Sequence, residues 1–188
     1  MEGYRVLSVT DGAYSALMEL FVEAFPESER RPREWFDELV EREKRFHCMV
    51  YGNADAMLCY WELEGLVDGV KHPFVYVEYL AVRRELRGKG IGREVMSDFL
   101  HSVGDVPVVL EVEPPVCGLT RERVRFYERL GFRLLPDCYM QPSYGVVPGV
   151  ELKLMVRVAG WHADVPIGEM IEVLHADVYG VRFGPKTS

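Results

Sequence analysis

The chain has 188 residues, 48% of them hydrophobic and 28% charged, with a net charge of −8. This composition is too apolar for a disordered chain, too charged for a membrane bundle, and its acidic balance disfavours nucleic acid as a partner. The longest uncharged stretch, Cys138 to Val150, is short and broken by proline and glycine, and the first residues lack a signal-peptide pattern, so a soluble cytoplasmic protein is expected.

In chain order, Tyr14, Leu17, Met18, Phe21, Ala24 and Phe25 recur at helical spacing after Thr10 and Asp11, which are candidate caps. A break at 25–31 leads to Pro32, suited to a first helical position, and a second short helix through Trp35, Leu39 and Val40. Phe46–Tyr51 and Met57–Leu63 flank Gly52-Asn53-Ala54-Asp55 and read as a hairpin. A loop is expected over 64–73, followed by Phe74–Val82, apolar on both faces except for Glu78 and therefore a central strand. A helix over 90–103, a strand over 106–113, a helix over 121–130 stopped by Gly131, and strands over 132–135 and 150–158 follow. The order ααβββαβαββ implies an α/β (α+β) fold, a mixed sheet with helices on both faces. Ile167, Met170, Ile171, Leu174 and Val178 then form one helical stripe, read as a helix docked on the body or else as a lid or dimer contact. The expected organisation is one domain over 1–158 with a helical extension over 159–188 packed on it, as a monomer or homodimer.

The densest chemical signal is Leu86-Arg87-Gly88-Lys89-Gly90-Ile91-Gly92, where a buried strand gives way to a glycine-rich basic turn and then a helix. Glycines let backbone N–H groups converge on an anion, and the helix N-terminus and two cations add positive charge, which suits a pyrophosphate. The chain has no G-x-x-x-x-G-K-[ST] string. The dinucleotide pattern G-x-G-x-x-G fails too, because its third glycine would fall on Arg93 or Val95. Cys48, Cys59, Cys117 and Cys138 are widely separated and no two histidines stand four apart, so no metal site is expected.

Arg87, Gly90 and Gly92 occupy the fixed positions of [QR]-x-x-G-x-[GA], and Phe126-Tyr127-Glu128-Arg129-Leu130-Gly131-Phe132 stands downstream after one helix and one strand. Both motifs, in this order, resemble those of the GNAT N-acetyltransferase superfamily. The resemblance spans roughly Tyr4 to Val158 and implies a mostly antiparallel twisted sheet with splayed central strands. It also implies acetyl-CoA as donor, its pantetheine arm paired with the backbone of Leu80, Ala81 and Val82. The pyrophosphate would lie on Arg87, Gly88, Lys89, Gly90, Ile91 and Gly92. Tyr127 resembles the family tyrosine that hydrogen-bonds or protonates the thiol sulfur. Thr120 stands where many relatives carry an asparagine that meets the cofactor.

Acetylating an amine requires a group that takes its proton, and a carboxylate in apolar surroundings suits that task. Glu78 is one candidate, with Tyr76 and Leu80 expected on its strand face; the alternative is a salt bridge to an arginine. Glu111 and Glu113, sharing one face of the neighbouring strand, compete for the role. Glu27, Glu29, Tyr139 and Tyr144 lie in connections that shape the acceptor pocket in relatives, where a primary amine of a small molecule or peptide would bind. The implied activity is direct acetyl transfer in a ternary complex. The alternatives are a non-catalytic acetyl-CoA-binding module and, more distantly, a dinucleotide-dependent oxidoreductase.

Overall fold

The computed structural model describes residues 1–142, 144, 149–158 and 167–180. The period-3.6 stripes form helices α1 (Tyr14–Ala24), α2 (Arg33–Arg42), α3 (Ile91–Val103) and α4 (Gly118–Glu128). The apolar runs form β2 (Phe46–Tyr51), β3 (Ala56–Val67), β4 (Val70–Val82), β5 (Val108–Val112), β6 (Arg133–Gln141) and β7 (Val150–Arg157). A short β1 (Gly3–Val6) precedes them at the sheet edge, too brief to leave an alternation in the sequence. The seven strands make one sheet in the order β1-β2-β3-β4-β5-β7-β6, antiparallel except between β4 and β5.

Both faces of the sheet are covered. On one side Leu17, Leu20 and Phe21 of α1 and Phe36 and Leu39 of α2 pack with Trp61, Phe74 and Tyr76. On the other, Val95, Met96, Phe99 and Leu100 of α3 and Val124 of α4 pack with Val75, Val77, Val108 and Leu110. The fold is thus the mixed α/β class expected. The C-terminal stripe forms α5 (Ile167–Val173), continued by a π-helical segment, Leu174–Tyr179. Met170, Leu174 and Val178 are buried in the α1–α2 layer, so the described part of the extension is docked on the body. Pro166 and the remainder of 159–188 lie outside the described residues.

Three expectations about elements need correction. The supposed loop over 64–73 is a continuation of β3 and β4 around a tight turn, in which Asp68 and Gly69 have φ of 49° and 79°. An Asp-Gly pair with both residues left-handed matches the right-handed twist of paired strands. The fourth helix starts at Gly118, before Arg121, because Cys117 and Thr120 form a reciprocal capping box. Strand β6 runs well past Leu135, its register slipping between Leu134 and Cys138 around Pro136, which an edge strand tolerates.

Gly131 ends α4 as expected. At φ 89° it donates to the Glu128 carbonyl (3.0 Å), while Phe132 N–H reaches back to the Tyr127 carbonyl (3.1 Å). This doubly bonded stop fixes the end of the helix that carries Tyr127. Leu174 is fully buried among α1, α2 and sheet residues. Leu174→Ala should therefore destabilise the whole fold by about 2–5 kcal/mol, measured by urea unfolding. A loss confined to the C-terminal helix, with the main transition unmoved, would show that the extension is not part of the cooperative unit.

Candidate active site

The site begins where β4 and β5 separate. They pair only through Val75–Val77 and Val108–Leu110, after which β5 keeps its other neighbour, β7, and β4 keeps β3. Residues 78–82 of β4 therefore present a backbone edge with no strand partner among the described residues. At the fork β4 also bulges: Cys59 faces Tyr79 and Tyr60 faces Val77, leaving Glu78 as the extra residue. The bulge resets the alternation beyond it. Tyr76 and Tyr79 both pack in the α1–α2 layer, whereas Leu80 packs on the α3–α4 side. The expected sharing of one face by Glu78 and Leu80 is overturned for this reason.

A cleft of about 420 Å³ fills the fork, within the range of small-ligand sites. Its walls are β4 from Val77 to Val82, Leu110 and Glu111 of β5, and Arg123, Phe126 and Tyr127 of α4. Arg87, Gly88 and Gly92 line it where α3 begins, and Phe25 and Glu29 where α1 ends. Gly88 and Gly90 have φ of 77° and 87°, a backbone region that β-carbon-bearing residues seldom occupy. Gly90 is the N-cap of α3, so the first amides of that helix, from Ile91 on, lack intrahelical acceptors. Arg87, whose Nε donates to the Val82 carbonyl (3.0 Å), and exposed Lys89 stand beside them.

Two carboxylates occupy the fork, in different surroundings. Both oxygens of Glu78 are engaged: Oε1 accepts from Arg31 Nε (2.7 Å) and the Tyr144 hydroxyl (2.8 Å), and Oε2 accepts from Trp61 Nε1 (2.6 Å). The Arg31–Glu78 pair is almost wholly buried, with both side chains 1% exposed. The guanidinium lies 4.5 Å from the Tyr144 ring centre, and its Nη2 donates to the Val178 carbonyl (2.8 Å). The salt-bridge reading of Glu78 is thus what the geometry displays.

No cation bonds Glu111 among the described residues. Its Oε2 accepts from Gln141 Nε2 (2.6 Å), the Tyr179 hydroxyl (2.8 Å) and the Tyr76 hydroxyl (3.0 Å). Its Oε1 is buried without a hydrogen-bond partner among the described residues. Burial raises its pKa to about 7, against the opposing effect of these donors. Burial also holds Tyr76, Tyr144 and Tyr179 well above the usual phenol range, so all three remain donors near neutrality.

The other anticipated residues divide. Tyr127 lines the cleft, its pKa pushed by burial to about 12, and Leu80, Ala81, Val82, Arg87, Gly88, Gly92 and Glu29 line it too. Burial, then the neighbouring Glu113, raises the pKa of Glu29. Glu113 is half exposed and paired with Arg123 Nη1 (2.8 Å), and neither it nor Glu27 is part of the cleft wall. Thr120 is also outside the wall, its hydroxyl accepting from Cys117 N–H (3.1 Å) in the helix cap. Tyr144 belongs to the Glu78 cluster. The Tyr139 hydroxyl is buried without a well-formed hydrogen bond among the described residues, yet it lies close enough to Glu111 to lower the pKa of that carboxyl. Arg31, Trp61, Gln141 and Tyr179 were not anticipated: each meets its carboxylate across 17 to 68 residues of chain, and no local spacing announces such a contact.

This splayed-strand, glycine-loop architecture agrees with the comparisons to known proteins. The acetyltransferase (GNAT) family model matches residues 11–132, and the chain belongs to that family. A putative GNAT-family acetyltransferase from Bacteroides thetaiotaomicron is 30% identical, covering 97% of this chain and 100% of its own, with a TM-score of 0.83. Arabidopsis thaliana NAA60, solved with acetyl-CoA, is 13% identical over 85% of this chain and 99% of its own, with a TM-score of 0.60. Arabidopsis thaliana Naa50, solved with the bisubstrate analogue CoA-Ac-MVNAL, is 17% identical over 85% of this chain and 100% of its own, with a TM-score of 0.55. These last two share the fold. No curated protein matches the chain by sequence.

The Glu111 carboxyl has a testable thermodynamic signature. Its pKa is raised on folding from 4.5 to about 7, so the native state binds the extra proton across that interval and wild-type stability falls as pH rises through it. Glu111→Gln lacks this loss. Its stability relative to wild type should increase between pH 5 and pH 8, read from thermal midpoints; a difference independent of pH would show that Glu111 titrates normally.

Proposed function

We propose that the chain is an N-acetyltransferase that takes acetyl-CoA as donor and a primary amine of a small molecule or peptide as acceptor, both bound at once. The observation that carries this reading is a free strand edge and a glycine-capped helix start bordering the same cleft as a buried carboxyl with a pKa near 7. The chain's residues fit the donor: an amide-bearing arm can add to the edge at Leu80–Val82 as a further strand. Its pyrophosphate suits the amides and cations of Arg87, Gly88, Lys89, Gly90, Ile91 and Gly92. When bound, acetyl-CoA supplies an acetyl group activated as a thioester.

Glu111 takes the proton-accepting role. An ammonium must lose a proton before it can attack, and a carboxyl titrating near neutrality accepts one far better than an ordinary surface carboxylate. Oε1 of Glu111, buried and without a hydrogen-bond partner among the described residues, has a lone pair for that proton. Glu78, with both oxygens occupied and Arg31 against it, is a poor base. Its role is to fix Arg31, Trp61 and Tyr144 behind the acceptor end of the cleft. Tyr127, a half-buried phenol on the cleft wall, is placed to donate its proton to the departing thiolate sulfur. Glu29 and Phe25 border the acceptor's approach, and their acid and aromatic character suits a cationic amine.

The test is a calorimetric titration with acetyl-CoA, with NAD as control, followed by turnover with spermidine, an aminoglycoside and a short peptide with a free amino terminus. Acetyl-CoA should bind and NAD should not. The Gly90→Ala variant should bind acetyl-CoA about tenfold more weakly, as left-handed φ at alanine costs roughly 1–2 kcal/mol. With an active amine, turnover should rise with pH through an acid limb near 7, and Glu111→Gln should lower it by about 10²–10⁴-fold. Acetyl-CoA binding without CoA release from any amine would identify a binding module instead.

A further inference from the structure

The C-terminal helix delivers one hydroxyl into the site. Tyr179 is 8% exposed, and its O–H donates to Glu111 Oε2 at 2.8 Å. The same oxygen of Tyr179 accepts from Gln141 Nε2 (2.9 Å) and lies 2.8 Å from the Tyr76 hydroxyl. Gln141 has two N–H groups, one for Glu111 and one for Tyr179, so it ties the two together. The hydrogen bonds to Glu111 among the described residues all fall on Oε2, and they come from three separate elements, β4, β6 and the C-terminal helix, while the nearby Tyr139 hydroxyl also favours the ionised carboxyl. One residue earlier, the Val178 carbonyl accepts from Arg31, the partner of Glu78. A single turn of the extension therefore touches the networks of both carboxylates. Its winding is π rather than α across Leu174–Tyr179, and Val178 and Tyr179 are both buried.

We propose that Tyr179 is a positioning residue for Glu111: by holding Oε2 it keeps the carboxyl oriented with Oε1 free for the acceptor's proton, which makes the C-terminal segment part of the acid–base apparatus. This rests on the reading of Glu111 as proton acceptor. A carboxyl with two equivalent oxygens can exchange them by rotation, and hydrogen bonds gathered on one oxygen fix which of the two is left without a partner. The same bonds favour the ionised form, so they counter burial and keep the group able to act as a base near neutrality. Among the described residues the titratable and charged groups around Glu111 are Tyr76 and Glu78 on β4, Arg31 ahead of α2, Tyr139 on β6, Tyr144, both His175 and Tyr179 on the C-terminal helix and, around the cleft, Glu29, Arg123 and Tyr127. Tyr179 is the one member of this set that both belongs to the extension and bonds Glu111.

The experiment needs no acceptor. Carbon-13 NMR of the full chain, labelled at the glutamate side-chain carboxyl carbons, follows Glu111 through a pH titration, and Glu111→Gln identifies its signal by loss. Wild type should titrate near 7. In Tyr179→Phe, which keeps the ring, the midpoint should rise by about one unit, the size expected for losing a hydrogen bond to an ionised group. Tyr179→Leu removes ring and hydroxyl together and should show the same raised midpoint if the hydroxyl is what acts. A midpoint unchanged in both variants overturns the positioning role while leaving the proton-acceptor reading intact. A wild-type Glu111 that titrates near 4.5 removes that reading itself.

Discussion

The separation of two parallel strands in mid-sheet is the constraint on which this structure turns. Strands β4 and β5 hydrogen-bond over three residue pairs and then part, each keeping its antiparallel neighbour on the far side. Backbone polar groups inside a sheet are normally paired, because leaving them unpaired away from water is expensive. An edge exposed in the centre of a sheet must face solvent in a cleft or an extended ligand that completes it. The bulge at Glu78 sits at the same point and turns the following residues over, so that Tyr79 joins the α1–α2 core while Leu80 and Val82 pack towards α3 and α4. The cleft is thus a consequence of strand geometry, and the glycine loop borders one end of it.

The fork also sets two carboxyl groups in contrasting environments. Glu78 has an arginine, an indole N–H and a phenol against it. Among the described residues Glu111 has only neutral hydrogen-bond donors, all on one oxygen. Burial of both would be ruinous if neither were compensated, but the compensation differs in kind. A buried ion pair holds its carboxylate charged and inert, and removing either partner would strand the other. A neutral cage leaves its carboxyl free to exchange a proton, at a cost in stability once it ionises. Adjacent acids in contrasting surroundings are a recurring arrangement in sites that move protons. Here the division follows from a single cation, Arg31, delivered by the break between the first two helices.

Much of the glycine loop and of the fourth helix was legible in the sequence because their signals are local. Gly88 and Gly90 need left-handed backbone, Gly131 ends a helix, and the aromatic run at 126–132 keeps its spacing within one helix and its stop. The bulge left no trace, since a strand apolar on both faces gives no alternation to interrupt, and strand parity then assigned Glu78 and Leu80 to one face. The segment expected as a loop over 64–73 holds an Asp68-Gly69 hairpin signal, and its residues form a two-stranded ribbon. Thr120 was read as a cofactor contact through its place in the motif, whereas its position at N3 of α4 gives its hydroxyl a nearer partner. The acceptor side depended on pairs such as Arg31 with Glu78 and Tyr179 with Glu111, which only the folded topology brings together.

That asymmetry has a physical basis. The family model covers residues 11–132 and so includes the fork, the glycine loop, Glu78, Glu111 and Tyr127, yet it ends before Gln141, Tyr144 and Tyr179. A shared donor presents the same arm and pyrophosphate to every enzyme that uses it, so the groups that meet it can recur at fixed spacings. An acceptor differs from one enzyme to the next, and the groups that enclose it need satisfy only that molecule. In this chain Gln141 of β6, Tyr144, and Tyr179 of the C-terminal helix bond to carboxylates that lie inside the recurring part, and under the proposed function they stand on the acceptor side. The proton chemistry proposed for Glu111 is therefore set jointly: the fork buries the carboxyl, and the individual part of the chain decides how far burial is offset and which oxygen is left free. A neighbour with the same fork but no tyrosine reaching back from its C-terminal segment would hold a carboxyl at this place with a different affinity for its proton.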